Sequence, residues 1–337
     1  MLYLFQWHIN YVIINYINLF NYFSKICYLI IFSKIILLMK KLLNIDGGGV
    51  KVYLTLHVLK YIEKKTNKKI IDLFDFFSGV SVSSLILSFL LLSYSVDELI
   101  IFIKKMSRNI FYRSNFYTLV SAFGILRSKY LDSNIDTELK NFLDNKKFSE
   151  IDKPLLILTY DLNSNKPIYY KNYEDINNDI PLWKIIRGSI SAPSYFKPFA
   201  LDDKILIDGG IVSNNLSDLI INEAINYYDE NEIFYQLSLG TGLYLPKNKR
   251  SPSGLLSWSN LILYTIFNAS SEYQLDLLKN QNKIDNLKYF HRLNFILDEP
   301  IELDDYTAFD KMDLIFNKWL DNNSTILDKI CDELLSI

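Results

Sequence analysis

Cysteine is almost missing from this chain: Cys27 and Cys331, near opposite ends of 337 residues, are the only two. That excludes a disulfide framework and fits a reducing, intracellular setting. Histidine is nearly as scarce, with His8, His57 and His291 alone, so chemistry built on an imidazole has few places to start. No excess of basic charge is present, since 36 Lys and Arg stand against 38 Asp and Glu, for a net charge of −2. Phosphate backbones call for clustered cations, so nucleic acid is excluded as an expected partner. No Gly-Lys-Ser/Thr follows the chain's glycine loop, which removes a P-loop. Counting from Gly47, the sixth position is Val52 rather than the third glycine of a dinucleotide fingerprint. No internal repeat or low-complexity linker divides the chain after Lys41, so residues 41–337 read as one domain with a core large enough to support it.

Residues 1–40 differ in texture, being rich in Ile, Leu, Tyr, Phe and Asn. Asn10, Asn15, Asn18 and Asn21 punctuate the first run, and Lys25 and Lys34 cut the rest into pieces shorter than a spanning helix of about 20 apolar residues. Two readings stand side by side. The segment is a weak membrane anchor, or it is a non-native start upstream of Met39, whose Met39-Lys40-Lys41 leads into the first strand. A secretory signal lacks its basic start and its small-residue cleavage site.

Leu42 to Ile45 is a short apolar run closed by Asp46-Gly47-Gly48-Gly49, and Val52, Leu56 and Leu59 then recur at helical spacing. A strand, a glycine turn and a helix N-terminus therefore follow one another. Backbone N–H groups in such a loop suit an anion or oxyanion. Ile70 to Phe77 reads as the second strand and delivers Gly79-Val80-Ser81, after which Ser84 to Leu92 is a helix apolar all round. Ser81, at the tip of a tight strand-to-helix turn, is the candidate nucleophile, and Gly79 supplies the small neighbour that a strained turn needs. Ser83 occupies the position where G-x-S-x-G has its second glycine.

Between Met106 and Asp152, Arg108, Arg113, Arg127, Lys129 and Lys140 interleave with Phe111, Tyr112, Phe116 and Tyr117. This is either a solvated helical insertion or an amphipathic cap at the site mouth that touches lipid. Leu155 to Tyr160 is a buried strand, Trp183 to Pro193 a short helix stopped by proline, and Lys204 to Asp208 a strand ending in Asp208-Gly209-Gly210. Phe234 to Leu239 is a further strand leaving through Gly240-Thr241-Gly242, and the remainder to Ile337 reads as mostly helical.

Serine needs a base within reach, and a tetrahedral intermediate needs preorganised donors. Ser81 can attack, Asp208 can take its proton, and Gly47, Gly48 and Gly49 can receive the oxyanion. No imidazole is obviously in place for the base role: His57 falls inside a predicted helix and His8 in the leader.

Taken in order, these blocks resemble the patatin-like phospholipase family, serine lipid acyl hydrolases with a Ser-Asp dyad. Asp46-Gly47-Gly48-Gly49 resembles the family's oxyanion loop and Gly79-Val80-Ser81 its nucleophile turn. Ser191-Ala192-Pro193-Ser194-Tyr195-Phe196, Asp208-Gly209-Gly210 with Asn214-Asn215, and Ser238-Leu239-Gly240-Thr241-Gly242 are similar to three further family blocks. The resemblance implies an α/β three-layer sandwich, a central mostly parallel sheet flanked by helices. It also implies cleavage of fatty-acyl esters in phospholipid or another acyl-ester lipid at a membrane surface, a cytoplasmic and peripheral location, and neither metal nor cofactor. Lys51, Gly79, Gly209 and Gly210 then support the Ser81–Asp208 dyad. Three departures stand out. Lys51-Val52 replaces the usual Arg-Gly, Ser83 and Ser84 replace glycines and are expected to crowd the elbow, and Leu216 replaces a proline. The departures leave a second class open, a catalytically impaired relative that binds lipid or a partner through the same cleft.

Overall fold

A computed structural model of the chain describes residues 39–121, 127–174, 179–244, 261–280 and 286–336. Residues 1–38, on which both readings of the leader rest, lie outside them. The chain separates into two compact units, Met1–Met39 with Ser336–Ile337 and Lys40–Leu335, and the second carries every strand described.

Its strands are β1 Lys40–Ile45, β2 Phe76–Val80, β3 Leu155–Asp161, β4 Lys166–Lys171, β5 Phe199–Leu201, β6 Lys204–Asp208, β7 Phe234–Leu239, β8 Leu243–Tyr244, β9 Leu287–Leu293 and β10 Ile296–Leu297. Eight of them form one sheet in the order β5-β6-β3-β2-β1-β7-β9, with β4 paired to β3. β1, β2, β3, β7 and β9 run parallel to their neighbours in that set, while β4, β5 and β6 pair antiparallel. From β1 the sheet grows through β2 and β3 on one side and through β7 and β9 on the other, so its winding reverses there and opens a crevice at the carboxyl ends of β1, β2 and β7.

The helices are α1 Val52–Thr66, α2 Val82–Leu91, α3 Val96–Ile110, α4 Asn115–Val120, α5 Asp132–Leu143, α6 Leu182–Ser189, α7 Ser217–Tyr227, α8 Ile262–Asn280 and α9 Phe309–Ser336. Alternation along β2 shows how they cover both faces. Phe76 packs with Ile220, Ile221 and Ala224 of α7. Gly79 faces the other way, where a Cβ would come 2.8 Å from Leu87 of α2. All ten residues of α2 are buried, as its apolar run predicts. Leu42, Leu43 and Ile45 of β1 are fully buried as well, and each such side chain contributes roughly 1.5–3 kcal/mol of transfer free energy. The expected three-layer arrangement, a largely parallel sheet between helices, is the one observed.

Two expectations need correcting. The second strand begins at Phe76, not Ile70, because Ile70–Leu73 is a single helical turn. The Ile70 N–H donates to Glu63 Oε1 at 3.0 Å and the Phe74 N–H to the Ile70 carbonyl at 3.3 Å, so local bonds hold the apolar residues in a turn. The C-terminal part is also not all helical, since β9 adds to the sheet beside β7. As an edge strand β9 is only half-buried, and Lys288, His291 and Arg292 interrupt the apolar pattern that marks a central strand.

Candidate active site

The elbow forms where β2 ends and α2 begins. Ser81 has φ 59° and ψ −137°, a left-handed conformation that a residue with a Cβ adopts at a cost of about 1–3 kcal/mol. Its surroundings hold it there. The Ser81 N–H donates to Ser189 Oγ at 2.9 Å, and the Ser81 carbonyl accepts the Ser84 N–H at 3.0 Å and Ser84 Oγ at 2.6 Å. Ser189 Oγ in turn donates to the Leu158 carbonyl at 2.9 Å, so the short helix α6 braces the elbow against β3.

The expected crowding by Ser83 and Ser84 is not found. Ser83 Oγ turns to the Asp46 carbonyl and ties the elbow to the glycine loop, while Ser84 Oγ folds onto Ser81 itself. Both hydroxyls become braces instead of obstructions.

Register brings Asp208 to the serine. β3 extends three residues beyond its pairing with β2, and β6 returns antiparallel along that extension, which sets Asp208 opposite Thr159, one step past the Val80–Leu158 pair. Asp208 is fully buried. Its Oδ1 accepts the Gly210 N–H at 2.8 Å, and its own N–H donates to the Ser191 carbonyl at 3.0 Å. Oδ2 has no hydrogen-bond partner of standard geometry among the described residues. Burial pushes this carboxyl up to about 7, against the opposing pull of the nearby Ser81 hydroxyl and the Gly210 N–H. A carboxylate poised there is suited to accept a proton near neutral pH.

The glycine loop lies against the same serine. A Cβ on Gly47 would fall 3.1 Å from the Ser81 Cβ. Gly47 is clamped from two sides: its N–H donates to the Asn214 carbonyl at 3.2 Å, and its own carbonyl accepts Asn214 Nδ2 at 3.1 Å and Thr241 Oγ1 at 2.7 Å. Of the three glycines expected to offer donors, Gly47 therefore directs its N–H elsewhere. The N–H groups of Gly48 and Gly49 have no acceptor among the described residues. Gly49 has φ +59°, and a Cβ there would collide with the Leu303 carbonyl that accepts the Val50 N–H, so glycine is required at that point. Gly209 and Gly210 follow Asp208 in one tight turn, with Gly209 packed directly on the Leu158 carbonyl. Asn215 and Ser217 join Asn44 and Ser238 in a buried polar network behind the loop.

Arg292 was not legible as a site residue. From β9 it grips Asp46, the first residue of the glycine loop, with Nη1 on Oδ1 at 2.8 Å and Nη2 on Oδ2 at 2.5 Å. This planar fork is the geometry that lysine cannot make at position 51. Lys51 itself is buried with its ammonium 5.8 Å from the ring centroid of Tyr264, and burial pulls it down to about 8 despite the opposing Glu302 charge. His57 and His291 pair with Asp313 and Glu333; neither is bonded to Ser81. A narrow pocket opens beside the elbow, lined by Gly49, Val50, Val82, Ile103, Met106 and Phe196 among others, with almost no polar surface.

A strained elbow serine, a buried aspartate at its level and a glycine loop against it form the arrangement that a serine hydrolase of the dyad kind requires. The family model for patatin-like phospholipase matches residues 43–220, more than half of the chain, and the chain belongs to that family. Mouse calcium-independent phospholipase A2-gamma is 26% identical over 313 residues, covering 86% of this chain and 39% of that protein. Patatin-like protein 4 of Arabidopsis thaliana is 25% identical over 236 residues, covering 60% of this chain and 59% of that protein. The chain thus spans about two fifths of the length of the calcium-independent phospholipase A2-gamma relatives it matches. Among solved structures, VipD from Legionella pneumophila superposes with a TM-score of 0.40 at 12% identity, covering 83% of this chain and 67% of that one. Human GIVD cytosolic phospholipase A2 gives 0.39 at 8% identity, with coverages of 69% and 46%.

The loop's tight packing makes one substitution informative. A Cβ at Gly48 would run into Thr241, the residue that holds the Gly47 carbonyl. Gly48→Ala should lower kcat about a hundredfold, the effect of losing one oxyanion donor at on the order of 3 kcal/mol, with little change in KM. Steady-state kinetics on a soluble ester checks this, and a kcat within a few-fold of the parent would remove the loop from the chemistry.

Proposed function

We propose that this protein is a lipid acyl hydrolase of the phospholipase A type, acting through Ser81 and Asp208 with no histidine in the relay. The observation that carries the reading is the elbow serine held beside a buried carboxylate raised to about 7. Asp208 takes the Ser81 proton as Oγ adds to the ester carbonyl, and the oxyanion that forms is received by the N–H groups of Gly48 and Gly49. Collapse breaks the ester C–O bond, the proton returns from Asp208 to the departing alcohol, and an acyl-serine remains. Water, deprotonated by Asp208 in the same way, then releases the fatty acid and restores the serine.

The acyl chain would lie in the apolar pocket next to Val82 and Gly49. A phospholipid ester is the substrate class favoured by that pocket and by the names of the relatives. We place the enzyme in the cytoplasm as a peripheral protein that works on lipid at a membrane surface; among the described residues no helix is long and apolar enough to cross a membrane. The alternative, an impaired relative that only binds through the cleft, loses its main motive because Ser83 and Ser84 brace the elbow.

A fluorophosphonate probe tests the reading, since it reacts with an activated serine and spares an inert one. Mass spectrometry should locate the adduct on Ser81. The labelling rate should rise with pH and reach half its plateau near 7, because Asp208 must be ionised to accept the proton and its folded-state value is raised to about 7. An adduct elsewhere, or a pH-independent rate, would contradict the assignment.

A further inference from the structure

We infer that the outer face of α3 and α4 is a docking surface for an anionic lipid bilayer, which holds the protein at the membrane with the apolar pocket on the inner side of α3. The inference rests on the lipid-hydrolase reading of the site and adds to it the surface through which substrate is reached. Helical spacing puts Ile101, Lys105, Arg108 and Tyr112 on one stripe that runs along α3 and into the turn after it, opposite the buried Leu99, Ile103, Met106 and Ile110. Ile101 is 69% exposed and Tyr112 62%. α4, next in the chain, adds Phe116 at 77% and Leu119 at 75% exposure, so four large apolar side chains stand in solvent on consecutive elements.

Charge decides what covers them. From Leu99 to Leu131 the chain has six Lys and Arg and no Asp or Glu, although the whole protein is net −2. Lys129 is held by Asp304 at 2.5 Å, but Lys105 and Arg108 are exposed and make no ion pair among the described residues. Exposed aromatic and aliphatic side chains set among unpaired cations match an interface of acyl chains and anionic headgroups, where long basic side chains reach the phosphates while apolar ones enter the boundary. The face adjoins the site. Phe111, next to Tyr112, lines the apolar pocket with Phe196 and packs on Tyr130 at a ring separation of 5.0 Å. Ile103, Met106 and Ile110 on the inner side of α3 line that pocket, so a bilayer on the outer face and the pocket would flank the same helix.

Flotation of the full chain with vesicles tests this. The protein should rise with phosphatidylcholine vesicles containing one-third phosphatidylserine, bind less to phosphatidylcholine alone, and be released from the former by salt. Lys105→Glu with Arg108→Glu should cut partitioning at least about thirtyfold, since each cation lost is worth about fivefold and the carboxylates add repulsion. Phe116→Ser with Leu119→Ser should cut it at least about tenfold through lost apolar burial. All four side chains lie outside the catalytic machinery, so hydrolysis of a soluble nitrophenyl ester should persist in both variants and certify that they are folded. Parent protein that stays at the bottom of the gradient, or self-associates through this face without binding vesicles, overturns the inference, as do variants that partition like the parent. Flotation without any esterase activity would instead sink the hydrolase reading and leave the docking surface standing.

Discussion

Ser81→Ala should reduce ester hydrolysis to the uncatalysed background, and Asp208→Asn should do nearly the same, each with a loss of at least about a thousandfold in kcat. The two substitutions are informative because neither disturbs packing. Alanine removes only the nucleophilic oxygen from an elbow whose backbone is held by Ser189 and Ser84. Asparagine keeps an Oδ1 to accept the Gly210 N–H, so the Asp208 turn survives while the proton acceptor is lost.

Stability should move the opposite way from activity at Asp208. A carboxyl whose folded-state pKa is raised contributes its full stability below the unfolded value near 4, and loses that contribution as pH rises through about 7. Above neutral pH the native protein carries a buried charge that Asp208→Asn lacks, so the variant should melt at the same temperature or higher. Differential scanning calorimetry at pH 8 reads this directly. A variant that is both inactive and strongly destabilised would mean that the aspartate serves the fold instead of the reaction.

Arg292→Ala should have the largest effect on the fold of any single change near the site. It leaves Asp46 buried with its guanidinium partner gone, a situation that costs on the order of 3–5 kcal/mol. At this chain length that corresponds to a fall in Tm of roughly 6 °C. Because Asp46 opens the glycine loop, kcat should drop as well. Arg292→Lys should recover part of the stability but less of the rate, since an ammonium supplies charge without the two-point grip. An unchanged Tm for Arg292→Ala would show that the pair is not what anchors the loop.

The sequence by itself determined the local pieces. Short apolar runs ended by glycine or aspartate mark β1 and β6, and an apolar stretch with no polar face marks α2, because burial on all sides demands side chains that need no partner. The residue types at the turns were enough to nominate Ser81, Asp208 and the glycine loop. Tertiary structure decided what holds them. Arg292 reaches Asp46 across the 246 positions that separate them in sequence, from an edge strand whose half-buried pattern resembles a helix. Ser189 and Asn214 brace the elbow and the loop through hydrogen bonds of long sequence separation. Only the antiparallel return of β6 along β3 sets Asp208 level with Ser81. Periodicity and turn chemistry are written in neighbouring residues, whereas register, ion pairs and the burial that raises a carboxyl exist only once distant strands have been brought side by side.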